Sequence, residues 1–138
     1  MRILIPAAFV LALVAVPAGQ TTRTVWDGVY TTEQATRGAK LYASECTRCH
    51  GDNLLGGEAP ALAGPLFANN WENVPLSDLH DRIRTTMPQD NPGNLSRQDV
   101  SDIVAHMLSV AKMPAGTTPL GTDAAALQPI KYVSNRPQ

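Results

Sequence analysis

The pentapeptide Cys46-Thr47-Arg48-Cys49-His50 decides the fold of this chain. Its two cysteines are the only ones among 138 residues. Their spacing places both thiols on one turn of backbone, where they can add to the two vinyl groups of a porphyrin. His50 then lies beneath the iron and can ligate it through a ring nitrogen. The pentapeptide therefore predicts one covalently bound haem c, held by Cys46 and Cys49.

Two other kinds of site use the same residue types. A structural zinc ion needs four nitrogen or sulfur ligands, and the pentapeptide offers three, which leaves His80 or His106 to complete the set. A thiol redox pair would follow a buried strand in a β-α-β unit, whereas the residues before Cys46 have a helical pattern. Haem is the working interpretation, and the zinc, disulfide and redox interpretations remain as alternatives.

The first 19 residues have the pattern of a secretory signal peptide. Met1-Arg2 is followed by the apolar run Ile3–Val16 and then by small residues up to Gly19. The run is shorter than the roughly 20 apolar residues of a membrane span, although an uncleaved anchor is an alternative. The pattern predicts export to a bacterial periplasm, where c-type haem is attached. We expect a signal peptide over 1–19 and a single domain over 20–138, with its core at about 25–127 and an irregular C-terminal tail.

The composition narrows the choice of partners. Removing Arg2 from the 11 basic residues leaves 10, against 12 acidic ones, and there is no Lys/Arg run. Nucleic acid is therefore not an expected partner, and no oligomer is implied.

Aromatic residues make up 5% of the chain, which has 10 glycines and 11 prolines. A loop-rich chain with so few large apolar side chains needs the apolar surface that a buried porphyrin would supply.

Hydrophobic spacing and caps predict a small all-α domain. Thr31 with Gln34 is a capping-box pattern, and Ser96 with Asp99 marks a second helix start. The predicted helices run over about 32–45, 77–84 and 96–111, with a possible short piece over 123–127. The arm Gln20–Tyr30 is expected to be extended. Residues 51–70 are rich in Gly, Pro and Asn, so no regular element is predicted there; their apolar side chains are candidates to line the ligand.

The second axial ligand of the iron is predicted to be Met87. Met87 and Met113 both precede proline, which favours an extended backbone. Met87 lies in a loop between two helices, and such a loop can close over the far face of the ring. Met113 or an open site are the alternatives, while Met107, His80 and His106 are expected to be packed side chains. Ligation by His50 and Met87 would raise the reduction potential and fill both axial positions.

These motifs, in this order, resemble those of class I monohaem c-type cytochromes from about Val25 to Leu127. Besides the pentapeptide they comprise Gly38 and Tyr42, Pro60-x-Leu62-x-Gly64, Met87-Pro88 with Pro92-Gly93, and a C-terminal helix. The resemblance implies a cytochrome c-like domain of about three to five helices with long Gly/Pro-rich loops around one haem. It further implies that the Pro60 carbonyl orients His50 and that Gly38 and Tyr42 cross the last helix near Ile103–Met107. For Trp71 it leaves two roles open, contact with a haem propionate or packing as a core tryptophan.

The resemblance also implies an electron-transfer protein that is not an enzyme. His80 and His106 depart from the pattern, because the family commonly has an aromatic residue at the position of His106 and often one at His80. The arm Val25–Thr31 and the segment Pro114-Ala115-Gly116 are similar to bacterial cytochromes that accept electrons from quinoprotein dehydrogenases. The implied partners are a dehydrogenase donor and an oxidase or other acceptor. The alternatives are a haem enzyme or gas-binding protein with a labile distal site, and a non-catalytic subunit of a dehydrogenase complex.

Overall fold

The computed structural model describes residues 22–138, so the predicted signal peptide lies outside the described residues. Within this part, six helices and one two-stranded sheet form a mostly helical domain, as predicted. The elements in order are β1 (Arg23–Thr24), α1 (Thr32–Glu45), α2 (Thr47–His50), α3 (Gly64–Trp71), α4 (Leu76–Thr86), α5 (Arg97–Val110), α6 (Ala124–Leu127) and β2 (Ile130–Lys131). None of the described helices is long and apolar enough to cross a membrane.

Both predicted capping boxes are present. The Thr31 hydroxyl accepts from the Gln34 backbone N–H, and the Gln34 side chain accepts from the Thr31 N–H. Ser96 and Asp99 make the equivalent pair of bonds at the start of α5. Each cap satisfies backbone donors that the first helical turn leaves without a partner, and each is worth about 1 kcal/mol. The sequence therefore fixes where α1 and α5 begin.

The crossing of α1 over α5 is the centre of the fold. A methyl group at Gly38 would collide with the Asp102 backbone carbonyl, so only glycine permits this approach. Tyr42, one turn further along α1, is 2% exposed. The Arg37 guanidinium also forms two hydrogen bonds with the Asp102 carboxylate, at 2.7 and 2.9 Å. The helix crossing implied by the family resemblance is thus confirmed.

The prediction that residues 51–70 contain no regular element is wrong for the last part of this segment. Helix α3 covers Gly64–Trp71, with Pro65 in its first turn, where the fixed φ of proline suits a helix. Phe67 is buried between the rings of Trp71 and Tyr132, with centroids 5.9 and 5.4 Å away. A short helix rich in Gly, Pro and Asn forms because its apolar face packs on the core, which local sequence does not reveal.

The N-terminal arm is held by the C-terminal tail. Strands β1 and β2 pair in parallel, with Arg23 opposite Ile130 and Thr24 opposite Lys131. The Trp26 indole N–H donates to the Val133 carbonyl at 2.8 Å. Both Ile130 and Tyr132 are buried in the same core as α1 and α5. The C-terminal tail therefore pairs with the N-terminal arm and packs in the core of the domain.

Candidate functional site

A cavity of about 460 Å³ brings the sequence-predicted site residues together. Cys46, Cys49, His50 and Met87 all line it. Its volume lies in the range of roughly 300–1,000 Å³ typical of cofactor pockets. The apolar part of its wall comes from α4, α5 and the loops beside them, and comprises Leu62, Leu79, Ile83, Leu95, Ile103 and Met107.

The pentapeptide forms a single helical turn directly after α1. The N–H groups of Cys49 and His50 both donate to the Cys46 carbonyl, at 3.2 and 2.9 Å. The turn ends at Gly51, whose φ of 76° is in the left-handed region that favours glycine. This local geometry sets both thiols and the imidazole against the same cavity.

The imidazole of His50 is held in one orientation. Its Nδ1 lies 2.7 Å from the Pro60 carbonyl oxygen, as the family resemblance implied. A carbonyl oxygen can only accept, so the proton is on Nδ1 and the lone pair of Nε2 is free for a metal. The side chain is buried at 9% exposure. The structure thus holds the His50 imidazole as the tautomer whose Nε2 could bind a metal.

Hydrogen bonds from the following loop and from α1 hold the backbone of the pentapeptide turn in place. The Ala59 N–H donates to the Cys49 carbonyl at 2.9 Å, and the Gly56 N–H donates to the His50 carbonyl at 3.0 Å. The Tyr42 hydroxyl donates to the Gly51 carbonyl at 2.7 Å. Burial raises the pKa of Tyr42 to about 12, so this hydroxyl stays protonated as a donor at neutral pH.

Met87 lies at the end of α4 on the cavity wall. Its backbone is extended, with φ −123° and ψ 152°, as expected for a residue before proline. Met113 does not line the cavity, and its carbonyl accepts instead from the Tyr30 hydroxyl at 2.7 Å. Met107, which was predicted to be a core side chain, is buried at 3% exposure and is also part of the cavity wall.

A protein family with this architecture matches the chain. The family model described as cytochrome c oxidase, cbb3-type, subunit III matches residues 33–107, which include the pentapeptide and Met87. The chain belongs to this family. It is therefore a c-type cytochrome with a covalently bound haem c, and an electron-transfer protein. Comparison with curated proteins and with solved structures gives no significant match.

The donor set of this cytochrome fits a haem c. Two free thiols, an imidazole with an available Nε2 and a thioether sulfur border one cavity with apolar walls. Burial, and secondarily the charge of Glu45, raises the pKa of the Cys46 thiol to about 11. A thiol redox pair would follow a buried strand in a β-α-β unit, whereas helix α1 directly precedes this turn. The structure therefore does not support the thiol redox interpretation.

Neither remaining histidine joins the site. His80 is buried at 3% exposure, and its Nε2 donates to the Arg97 carbonyl at 3.0 Å. The ring of His106 packs on that of Tyr42, with centroids 5.3 Å apart, so it takes the place of the usual aromatic residue. Within residues 22–138, no group of three or more His, Cys, Asp or Glu could hold a metal ion. The zinc interpretation, which required one of these histidines, therefore has no support.

Several polar side chains of the cavity wall were not predicted from the sequence. They are Arg48, Asn70, Arg82, Gln89 and Asp90. Asn70 was missed because α3 was not predicted, and it lines the cavity where the resemblance had allowed Trp71 to lie. The Trp71 ring instead stacks on Phe67 and does not line the cavity. Arg82 follows Leu79 on α4 by three positions, and that helical spacing was the available signal.

Proposed function

We propose that this cytochrome is a one-electron carrier of the bacterial periplasm. In this proposal Cys46 and Cys49 form the two thioether bonds, and His50 and Met87 are the axial ligands. One observation carries it: these four side chains line one cavity, and the Nδ1 of His50 is already engaged by Pro60. Residues 20–138 act as a single domain after removal of the signal peptide over 1–19.

The residues around the cavity suit electron exchange and no further chemistry. The bound haem supplies an iron that alternates between the ferric and ferrous states. His50 and Met87 would together hold the iron, which would leave no position for a substrate or for oxygen. The thioether of Met87 is a soft donor that favours ferrous iron. The apolar side chains of Leu79, Ile83 and Ile103 keep water away, which also favours the less charged state.

Two exposed leucines near the cavity are proposed as part of the surface that docks a redox partner. Leu55 and Leu66 are 62% and 72% exposed, and they are the exposed large hydrophobic side chains of the described residues. Leu66 lies one turn before Asn70, which lines the cavity, and the segment after Leu55 bonds to Cys49 through Ala59. Single exposed apolar side chains are common on proteins, so it is their place beside the cavity that favours this role.

The proposed electron donor is a quinoprotein dehydrogenase, and the proposed acceptor is an oxidase or other protein. This choice of donor rests on two segments, the Val25–Thr31 arm and Pro114–Gly116, which are similar to cytochromes with such donors. These two segments lie together, because the Gly116 N–H donates to the Tyr30 carbonyl at 2.7 Å. The second candidate is a cytochrome subunit of a larger oxidoreductase complex, which the description of the matching family as a subunit favours.

Absorption spectra of the purified holoprotein test the proposed ligands. We expect the ferric form to show the weak red absorption of a methionine sulfur ligand, and the ferrous form to bind carbon monoxide poorly. Met87→Ala should lose the red absorption, bind carbon monoxide and have a lower reduction potential. Met113→Ala, the matched control, should keep all three properties of the wild type. Rapid binding of carbon monoxide by the wild type would favour a haem protein with a labile distal site.

A further inference from the structure

An ion pair crosses the rim of the cavity. The Arg48 guanidinium donates to the Asp90 carboxylate at 2.6 Å, and both residues line the cavity. Arg48 belongs to α2 and lies between the two cysteines, whereas Asp90 follows Met87 by three positions. The pair therefore joins the turn that carries His50 to the loop that carries Met87.

The loop after Met87 has few other attachments. Within residues 22–138, the other hydrogen bonds of positions 88–94 are internal to the loop: Asn91 N–H to Pro88 at 3.0 Å, and Asn94 N–H to Asn91 at 3.4 Å. The loop is otherwise held at its two ends. At one end the Met87 N–H donates to the Ile83 carbonyl, and at the other end the side chain of Leu95 is buried. An exposed segment with so few hydrogen bonds to the rest of the domain opens locally at low cost compared with unfolding of the whole domain.

We infer that Arg48 is a positioning residue for the Met87 loop. Its ion pair with Asp90 keeps the loop closed and slows the replacement of Met87 by external ligands. This inference rests on the proposed function, in which Met87 ligates the iron. Both side chains are largely exposed, at 77% and 62%, so salt screens the pair and it adds little to global stability. Its effect lies in the local opening of the loop, which in the proposed function breaks this pair together with the bond between Met87 and the iron.

Imidazole binding to the ferric holoprotein measures that opening. At about pH 8 imidazole is uncharged, and its binding is followed by the loss of the weak red absorption. Arg48→Gln and Asp90→Asn should each speed binding about two- to fivefold. The double variant should be no faster than either single variant, because both remove the same interaction. The charge swap Arg48→Asp with Asp90→Arg should restore the wild-type rate.

Salt and hydrogen exchange give two independent readouts. Raising the salt concentration from about 0.01 M to about 1 M should speed imidazole binding to the wild type but not to the double variant. Amide exchange at Asn91 and Asn94 should be faster in Arg48→Gln, while exchange in α5 stays unchanged. Arg136→Gln and Asp52→Asn, which alter the net charge elsewhere, should bind imidazole at the wild-type rate.

The outcomes separate the inference from the proposed function. If the wild type shows the red absorption and Arg48→Gln binds imidazole no faster, the positioning role of Arg48 is wrong and the ligation by Met87 stands. If the charge swap is as fast as the single variants, the pair does not hold the loop. If the wild type lacks the red absorption, both the inference and the proposed axial ligand fail.

Discussion

At the scale of single residues, Gly38 shows how one side chain sets a helix contact. In an open helix, alanine at this position would stabilise the protein by about 1 kcal/mol relative to glycine. Here a methyl group would meet the Asp102 carbonyl, so the two helices would have to move apart. The same contact is absent at Ala43, which is exposed one turn further along α1.

We therefore expect Gly38→Ala to destabilise the ferric holoprotein by roughly 1–3 kcal/mol, the usual cost of overpacking. Chemical unfolding followed by far-UV circular dichroism measures this change. Ala43→Gly is the matched control and should cost about 1 kcal/mol from helix propensity alone. A Gly38→Ala variant more stable than the wild type would contradict the close approach of the two helices.

The two histidines outside the site make stability depend on pH. Burial lowers the pKa of His80, helped by the charges of Arg97 and Arg84 and opposed by the hydrogen bond to the Arg97 carbonyl and by Asp81. Burial also lowers the pKa of His106. The unfolded chain, with histidine pKa values near 6.5, then binds more protons than the folded one. Stability is fully present above about pH 6.5 and falls as the pH drops from there toward the folded pKa values.

We expect the holoprotein to lose stability as the pH falls from about 6.5 toward the lowered pKa values of the two histidines. His106→Phe should weaken this dependence, because phenylalanine can pack on Tyr42 and does not titrate. Thermal unfolding of both proteins across this range is the measurement. Equal slopes for the variant and the wild type would show that His106 is not responsible.

At the scale of elements, α3 depends on tertiary packing. Its own residues favour a helix only weakly, and its Phe67 side chain is held between Trp71 and Tyr132. An eight-residue helix is too short to be stable alone in water. Helix α3 is therefore stabilised by its packing against Tyr132 of the C-terminal tail.

Phe67→Ala should cost about 3–5 kcal/mol, the usual range for a buried phenylalanine. The amides of α3 should lose their protection against hydrogen exchange before those of α5. Leu66→Ala is the matched control, because this neighbouring side chain is 72% exposed and should change neither property. Unchanged protection of α3 in Phe67→Ala would mean that the helix forms by itself.

At the scale of the whole molecule, the haem site is part of the interior. The cavity of about 460 Å³ borders the buried side chains of Ile103 and Met107 on α5. Without its occupant, the apolar side chains that line this cavity would face water and would lose their packing partners. A domain of this kind has only about 5–15 kcal/mol of stability in total. We therefore expect the covalent group to be needed to fold the chain.

A Cys46→Ala, Cys49→Ala double variant, made without haem attachment, should lose most of its helical circular dichroism at 25 °C. The wild-type holoprotein, unfolded and refolded with its haem attached, is the control and should recover its spectrum. The variant would contradict this expectation if it kept the wild-type helical signal and unfolded cooperatively.

Much of this organisation can be predicted from local sequence because the signals are local. The Thr31 and Ser96 caps, the spacing of apolar residues on α4 and α5, and the pentapeptide each act within a few positions of the chain. For the same reason the orientation of His50 by Pro60 was predictable only through the family resemblance, since those residues are ten positions apart. Helix α3, which places Asn70 and not Trp71 on the cavity wall, could not be predicted, because its Phe67 packs on Tyr132 of the distant tail.

The sequence by itself determined the helical class, the starts of the main helices and the two thiols and imidazole of the site, since all of these depend on the spacing of neighbouring residues. Only the tertiary structure decided which methionines reach the cavity, where the tail pairs with the arm, and that Arg48 meets Asp90. Those outcomes depend on how α1, α4 and α5 pack. Packing brings together residues that are far apart along the chain, and the spacing of neighbouring residues does not reveal such contacts.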